Sequence, residues 1–371
     1  MSLVERIWWR PHAAPGETAL LAPLVLAEGL FRVGAAARGA LYDRGLLAQA
    51  RAGVPVVSIG NVAVGGAGKT PAAIAVASRL AARGRRVAVL SRGYGASRAD
   101  PRVVSDGVRT LLGADEAGDE PALLARRLPG VAVLCGPRRA ALAAMAVATL
   151  GADALVLDDG FQHRALARDL DVVVLDAANP FGNGHLLPRG PNREPRGAIR
   201  RAGLVWLSRV DGADAAALTA LRALALDATG RAPVESRHAP VDVVDGTLGR
   251  SLGLGALRGE RVIAVSGLAR PGAFLGTLAG LGAEVVAERA FPDHHRFTER
   301  ELDDVLRAAE AARARVVMTE KDAVRLAPAR AAEPRLCAVR IDAELVRGEA
   351  VLAEVLDAAL TVHAGSSRSA G

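Results

Sequence analysis

Short apolar runs recur along the chain from Val54 onward: VPVVSIG, RVAVLSRG, VAVLCG, ALVLDDG, DVVVLDA and AGLVWLSRV. Apolar runs without alternation are the mark of strands buried on both faces. The helical stretches AAIAVASRLAARG and RRAALAAMAVATLG fall between them. Strand, helix, strand at this spacing predicts a parallel sheet with right-handed crossovers, and a repeated unit predicts a doubly wound α/β sheet.

The pattern changes at PVESRHAPVDVVDG, which reads as extended chain without a helix and suits a β-linker over residues 233–250. A second, smaller α/β set follows: ERVIAVSGLARP, GAFLGTLAGLG, AEVVAERAF, ERELDDVLRAAEAARA, RVVMTEKDAV and RLCAVRID. This divides the chain into a first α/β domain over 46–232, a C-terminal α/β domain over 251–355 and a small, polar tail over 356–371 expected to be disordered. Residues 1–45 stand apart. The stretch from Glu17 to Ala40 and Leu41 is apolar but interrupted by Glu28 and Arg32, with Trp8, Trp9 and Arg10 before it and Arg44 after it. Those charges argue against a span; tryptophan and arginine flanks suit a helix lying in the headgroup layer of an anionic membrane.

Composition narrows the partners. The 371 residues carry a formal charge of +7, which suits an anionic membrane or a phosphorylated ligand, while 3% aromatic residues and no basic, aromatic-studded face give no nucleic-acid surface. Cys135 and Cys337 are the only cysteines, in no metal or redox spacing, and fit a reducing cytoplasm as small apolar residues. Lys69 and Lys321 are the only lysines against 45 arginines. An ammonium and a guanidinium are not interchangeable at a phosphate site, so both positions are candidates for a required ammonium.

Lys69 stands in the loop Ala63, Val64, Gly65, Gly66, Ala67, Gly68, Lys69, Thr70, between the run VVSIG and a helix. A glycine-rich loop in this place wraps phosphates with backbone N–H groups, while the lysine and the threonine hydroxyl serve the anion and its magnesium. Ala63 departs from the P-loop pattern, which has glycine there. Asp158 and Asp159 end the run ALVL at the carboxyl edge of the sheet, where a P-loop protein places the acids that hold magnesium or its waters.

Together the strings IGNVAVGGAGKTP, SRGYG, GDEP, DDGFQHR, NGHLLPRGPNREP, FPDHH and TEKDAVR resemble the tetraacyldisaccharide 4'-kinases, from the N-terminal helix to about residue 350. The resemblance implies a P-loop kinase domain, a smaller second α/β domain and a membrane-associating N-terminal helix. It implies transfer of the γ-phosphate of ATP, with Mg2+, to the 4'-hydroxyl of an acylated disaccharide lipid, at the cytoplasmic face of the bacterial inner membrane and with no obligate protein partner. Matched residue by residue, Asp119 and His294 form the base pair beside Lys69, and Glu120 joins Thr70, Asp158 and Asp159 around the metal. With Asp119 and His294 in different domains, closure is expected to assemble the base. His163, Arg189, Arg193 and Lys321 are candidate substrate contacts; Lys321 is expected either to pair with its acidic neighbours or to reach the substrate. A different reading of the same loop and acids is a membrane-bound ATPase switch that recruits a protein partner.

Overall fold

The computed structural model describes residues 7–9, 16, 22–94, 100–268 and 271–366. After helix α1 (Leu24–Asp43), the chain alternates strand and helix: β1 (Val56–Gly60), α2 (Lys69–Ala82), β2 (Val87–Ser91), β3 (Arg102–Ser105), α3 (Asp119–Arg127), β4 (Ala132–Cys135), α4 (Arg139–Leu150), β5 (Ala154–Asp158), β6 (Leu170–Asp176), β7 (Leu204–Ser208) and α5 (Ala215–Thr229). It continues through β8 (Val234–Asp245), β9 (Arg261–Ser266), α6 (Pro271–Gly280), β10 (Glu284–Ala290), α7 (Glu299–Ala311), β11 (Arg315–Thr319), the single turn α8 (Glu320–Ala323), β12 (Leu336–Arg347) and α9 (Glu349–Ser366).

Among the described residues, all twelve strands join one sheet in the order β10-β9-β11-β12-β8-β7-β6-β1-β5-β2-β4-β3. Pairing is parallel except for β3 with β4 and β8 with β12. The segment expected as a linker is therefore a sheet strand: β8 runs parallel to β7 on one side and antiparallel to β12 on the other. Its twelve residues carry the hydrogen bonding of the first α/β set straight into the second.

The apolar runs become strands because both faces are covered. Val57, Val89 and Val156 pack on α2 and α9, while Val56, Leu90 and Leu155 pack on α4 through Leu142 and Ala146. In the second set, Val265, Val316 and Ala338 meet Val305 and Ala309 of α7. Residues 356–366, expected to belong to a disordered tail, are helical. Helix α9 continues to Ser366 and seals the first core with Leu352, Val355, Leu356, Ala359 and Leu360. These apolar positions recur every three or four residues, a stripe whose burial outweighs the cost of ordering the chain. Residues 367–371 lie outside the described residues.

Helix α1 is built the other way round. Its one buried residue is Glu28, flanked by half-buried Leu24, Ala27 and Phe31; Glu28 accepts from Leu186 N at 3.1 Å, Arg32 at 3.1 Å and Arg189 at 3.3 Å. Burial would raise the pKa of this carboxyl, but those donors and nearby His185 hold it below the ordinary value. Leu26 (75% exposed), Leu30 (69%) and Val33 (67%) face outward. No helix among the described residues is long and apolar enough to cross a membrane.

Candidate functional site

The loop from Asn61 to Gly68 leaves β1 at the carboxyl edge of the sheet and turns into α2 at Lys69. Gly68 has φ +87°, and a Cβ there would meet His238 Nε2 at 2.9 Å and Ser208 at 3.2 Å, so glycine is required by both conformation and space. Ala63 carries no such demand. It keeps a negative φ and bridges Asn192, while Val64 N donates to Pro191 O at 2.8 Å; a methyl group is therefore tolerated where the motif has glycine. The loop is braced from below: Ser208 Oγ donates to Ala67 O at 2.7 Å, and Arg209 bridges Gly66 O (2.6 Å) and Asp176 (2.7 Å). Lys69 Nζ folds over the loop to Gly65 O at 3.0 Å and stands 3.6 Å from Asp159 Oδ1.

Asp158 and Asp159 behave oppositely although they are neighbours. Asp158 ends β5, is 1% exposed, and neither carboxylate oxygen has a hydrogen-bond partner among the described residues. Burial, then the negative charges of Glu120 and Asp159, push its pKa up to about 7. Asp159 (φ +55°) is also buried, but Lys69 and Arg193 outweigh that burial and keep it ionised; Arg193 Nη1 lies 2.8 Å away. An orphaned buried carboxylate beside a phosphate loop fits a magnesium ion that arrives with its nucleotide. Among the described residues no cluster of three or more His, Cys, Asp or Glu is arranged to hold a metal alone. That suits magnesium, which keeps waters and phosphate oxygens in its shell and asks for only one or two carboxylates.

Asp119 opens α3 directly after Gly118, whose φ of +89° and contact with the Tyr94 carbonyl leave no room for a side chain. Its Oδ2 receives His294 Nδ1 at 2.9 Å from the second α/β set. The two residues of the expected pair are thus in contact in this structure. His294 sits at φ +61°, and its other ring nitrogen is 3.4 Å from Lys321 Nζ. Lys321 also pairs with Asp293 at 3.0 Å. It lies in the short helix α8, directly after the end of β11, and its ammonium stands beside the imidazole. Arg325, 4% exposed, donates from Nε to the same Asp119 Oδ2 at 2.7 Å. Burial would raise the Asp119 pKa, but His294 and Arg325 outweigh it and hold the carboxyl below its ordinary value. His295 is turned away: it bonds Glu301 at 3.0 Å and stacks on Phe291 at 4.7 Å, at the capped start of α7.

The family model described as tetraacyldisaccharide-1-P 4'-kinase matches residues 18–361. The chain is 85% identical over its whole length to the whole of the tetraacyldisaccharide 4'-kinase of Anaeromyxobacter sp. (strain Fw109-5).

The chain belongs to the tetraacyldisaccharide 4'-kinase family.

A more distant relative of the same name, from Syntrophus aciditrophicus, is 42% identical over 87% of this chain and 89% of its own. A crystal structure of LpxK from Aquifex aeolicus in complex with ATP superposes with a TM-score of 0.76 at 30% identity, covering 92% of this chain and 99% of that one.

Within this family member the remaining candidates are scattered. Arg193 serves Asp159, but Arg189 is drawn off to Glu28 of α1. His163 is pushed down to a pKa of about 4 by burial and by the cations of Arg139, Arg168, Arg38 and Arg92, so it is neutral at pH 7. The contacts of Arg325, of Ser208 and Arg209, and of Trp8 and Trp9 are not legible in the sequence. Arg325 ends the TEKDAVR string, but nothing local marks its partner. Ser208 and Arg209 follow an apolar run like any other. Trp8 and Trp9, expected as interfacial flanks, pack on the site: Trp8 Nε1 donates to Pro188 O at 3.1 Å, Asn179 donates to Trp9 O at 2.8 Å, and the Trp9 ring lies against Gly65. Arg10 lies outside the described residues, as do Gly95 of the SRGYG string and residues 17–21 of the expected helix.

Proposed function

We propose that the pair Asp119 and His294 is the base of the family's reaction in this chain, facing a nucleotide held by residues 63–70. The chain transfers the γ-phosphate of ATP to the 4'-hydroxyl of a tetraacyldisaccharide 1-phosphate, forming lipid IVA in lipopolysaccharide biosynthesis. Phosphoryl transfer asks chiefly for alignment and charge neutralisation, with help for one proton. The loop N–H groups and the N-terminus of α2 cradle the phosphates. On nucleotide binding, Lys69 exchanges the Gly65 carbonyl for phosphate oxygens. Thr70 with one or two of the carboxylates of Asp158, Asp159 and Glu120 would hold Mg2+ and its waters, and the ion neutralises charge on the phosphates when bound. The 4'-hydroxyl proton passes to His294 as the new oxygen–phosphorus bond forms and the bond from the γ-phosphorus to the ADP oxygen breaks. Asp119 fixes the imidazole tautomer and stabilises its charged form.

The observation that carries this reading is the 2.9 Å bond between Asp119 and His294, across 175 residues of sequence. Incubation with γ-labelled ATP and the tetraacyldisaccharide 1-phosphate, followed by chromatography of the lipid fraction, tests it: label in the lipid is expected. Label released only as inorganic phosphate, whether or not lipid is present, overturns it.

The same reading places the chain on the anionic cytoplasmic face of the inner membrane through α1. Leu26, Leu30 and Val33 would enter the headgroup layer, while Glu28 stays bonded to the protein. Leu26→Glu with Leu30→Glu is expected to move the chain from anionic vesicles to the supernatant on sedimentation, with Mg–ATP binding intact. Unchanged pelleting would remove α1 from this role. Point changes are the sharper tool, because deleting the N-terminus also removes Trp8 and Trp9 from the loop.

A further inference from the structure

We propose that Arg325 is the positioning residue of the base: it holds Asp119 Oδ2 in place from the second α/β set, so that the carboxylate meets His294. The inference rests on the reading of Asp119 and His294 as the base. Helix α3 belongs to the first α/β set and α8 to the second, and the contact between Arg325 Nε and Asp119 joins residues 206 apart in the chain. Arg325 is itself held. Its Nη1 donates to Asp322 Oδ1 at 2.9 Å and to His295 O at 3.3 Å. Asp322, wholly buried, receives Thr319 Oγ1 at 2.6 Å and Gly267 N at 3.1 Å on its other oxygen. Gly267 is needed for that approach, since a Cβ would stand 2.9 Å from Asp322 Oδ1 and 3.0 Å from Pro292 O. A chain of bonds therefore runs from the end of β9 through Asp322 and Arg325 to Asp119, and it meets His294 from the side opposite Lys321 and Asp293.

Two features separate this from a general brace between the halves. A brace exists elsewhere: Arg127, at the far end of α3, pairs with Glu320 at 2.7 Å and with Asp342. Arg325 instead ends on the one carboxylate oxygen that His294 uses, leaving Asp119 Oδ1 without a hydrogen-bond partner among the described residues. Without the guanidinium, Asp119 Oδ2 would keep a single donor, and the carboxylate could rotate away from the imidazole.

The test is a mutant cycle on the full chain with Mg–ATP and the tetraacyldisaccharide 1-phosphate. Arg325→Gln is expected to lower kcat on the order of 10- to 100-fold with KM for Mg–ATP unchanged, as for loss of alignment rather than of ground-state binding. Arg325→Lys, which keeps a cation within reach of Asp119, is expected to retain most of kcat. In an Asp119→Ala background the Arg325→Gln change is expected to cost less than about twofold, because the group it positions is gone. An equal loss in both backgrounds overturns the inference and makes Arg325 a structural strut. Arg325→Gln leaves Asp322 buried with its anion unpaired; should it fail to fold, Arg325→Met with Asp322→Asn removes both charges and takes its place. A crystal structure of the variant reads the same point without activity. Asp119 is expected to have left His294, and an intact 2.9 Å contact would overturn the proposal. Displacement of Asp119 in a chain that labels no lipid would leave the positioning standing and sink the kinase base; a labelled lipid with an undisturbed contact would do the reverse.

Discussion

Lys69 and Thr70 reach the site from the start of α2, after the loop that leaves β1, and Asp158 and Asp159 from the end of β5, which is hydrogen-bonded to β1. Asp119, His294 and Arg325 reach it from three segments, with partners 175 and 206 residues apart in sequence. The nucleotide half is thus positioned by local geometry: one loop, one helix start, one neighbouring strand. The base half is positioned by how α3 packs on α8 and on the FPDHH loop. A site built in the first way tolerates change in remote residues, while one built in the second way depends on every link of the packing between its segments. The nucleotide half also keeps a carboxylate without partners, ready for a cation, whereas Asp119 in the base half has its proton-bearing partners in place before any ligand arrives.

The comparison can be broken most forcefully at Lys69. Lys69→Ala removes a fixed positive charge from the phosphates and is expected to lower kcat on the order of 10²-fold to 10³-fold; near-normal turnover would show that the loop does not hold the reacting phosphates. In the base half, Asp119→Ala and His294→Ala are each expected to lower kcat by about 10²-fold with little change in Mg–ATP affinity. The double variant should be scarcely worse than the poorer single one, since groups acting as a unit are not additive. Multiplied losses would mean two independent residues.

Asp158 provides a test of the nucleotide half that needs no turnover. The folded chain binds this proton more tightly than the unfolded chain, whose pKa is near 3.8, because the folded value is raised to about 7. Its stabilisation is therefore full below the unfolded value and is lost as pH rises through 7, at roughly 1.4 kcal/mol for each pH unit of difference. Thermal midpoints without metal should decrease as pH rises from about 4 to about 7 and level off above it, Asp158→Asn should flatten that slope, and Mg–ATP should restore the midpoint at pH 8. A slope shared equally by Asp158→Asn would place its origin elsewhere. The smallest effect is expected at His295. His295→Ala loses a hydrogen bond to Glu301 and a stacked Phe291, worth about 1–2 kcal/mol, and should lower the melting temperature while leaving kcat within a few-fold. A large kcat loss there with a mild His294→Ala would exchange the roles of the two histidines.

The two halves were also unequally legible. The string from Ala63 to Thr70 and the pair Asp158 and Asp159 could be placed from the chain alone, because apolar runs of this kind become parallel strands and ligands gather at their carboxyl edge. Asp119 and His294 were reached only through resemblance to a family. Nothing in GDEP or FPDHH says that the two meet, and nothing in TEKDAVR says that Arg325 ends on Asp119. The two terminal regions mislead in a related way. Residues 356–371 look like a tail, yet Leu356, Ala359 and Leu360 continue the apolar stripe of α9 and cover a face of the first core. Trp8 and Trp9 look like a membrane belt, yet the loop at Gly65 and residues 179–188 offer them a closer surface.

By itself the sequence determined the class of the fold and the places of the glycine loop, of Asp158 and Asp159 and of the N-terminal helix. Each depends on interactions among residues a few positions apart: the period of burial, the freedom of glycine, the end of a strand. Only the tertiary structure decided that β8 joins both α/β sets into one sheet, that Glu28 is the anchor of α1, that α9 closes the first core, and that Arg325 shares a carboxylate oxygen with His294. Those outcomes turn on which distant surfaces meet. A buried carboxylate accepts whichever donors the packing brings to it, and that choice is written in no single stretch of the chain.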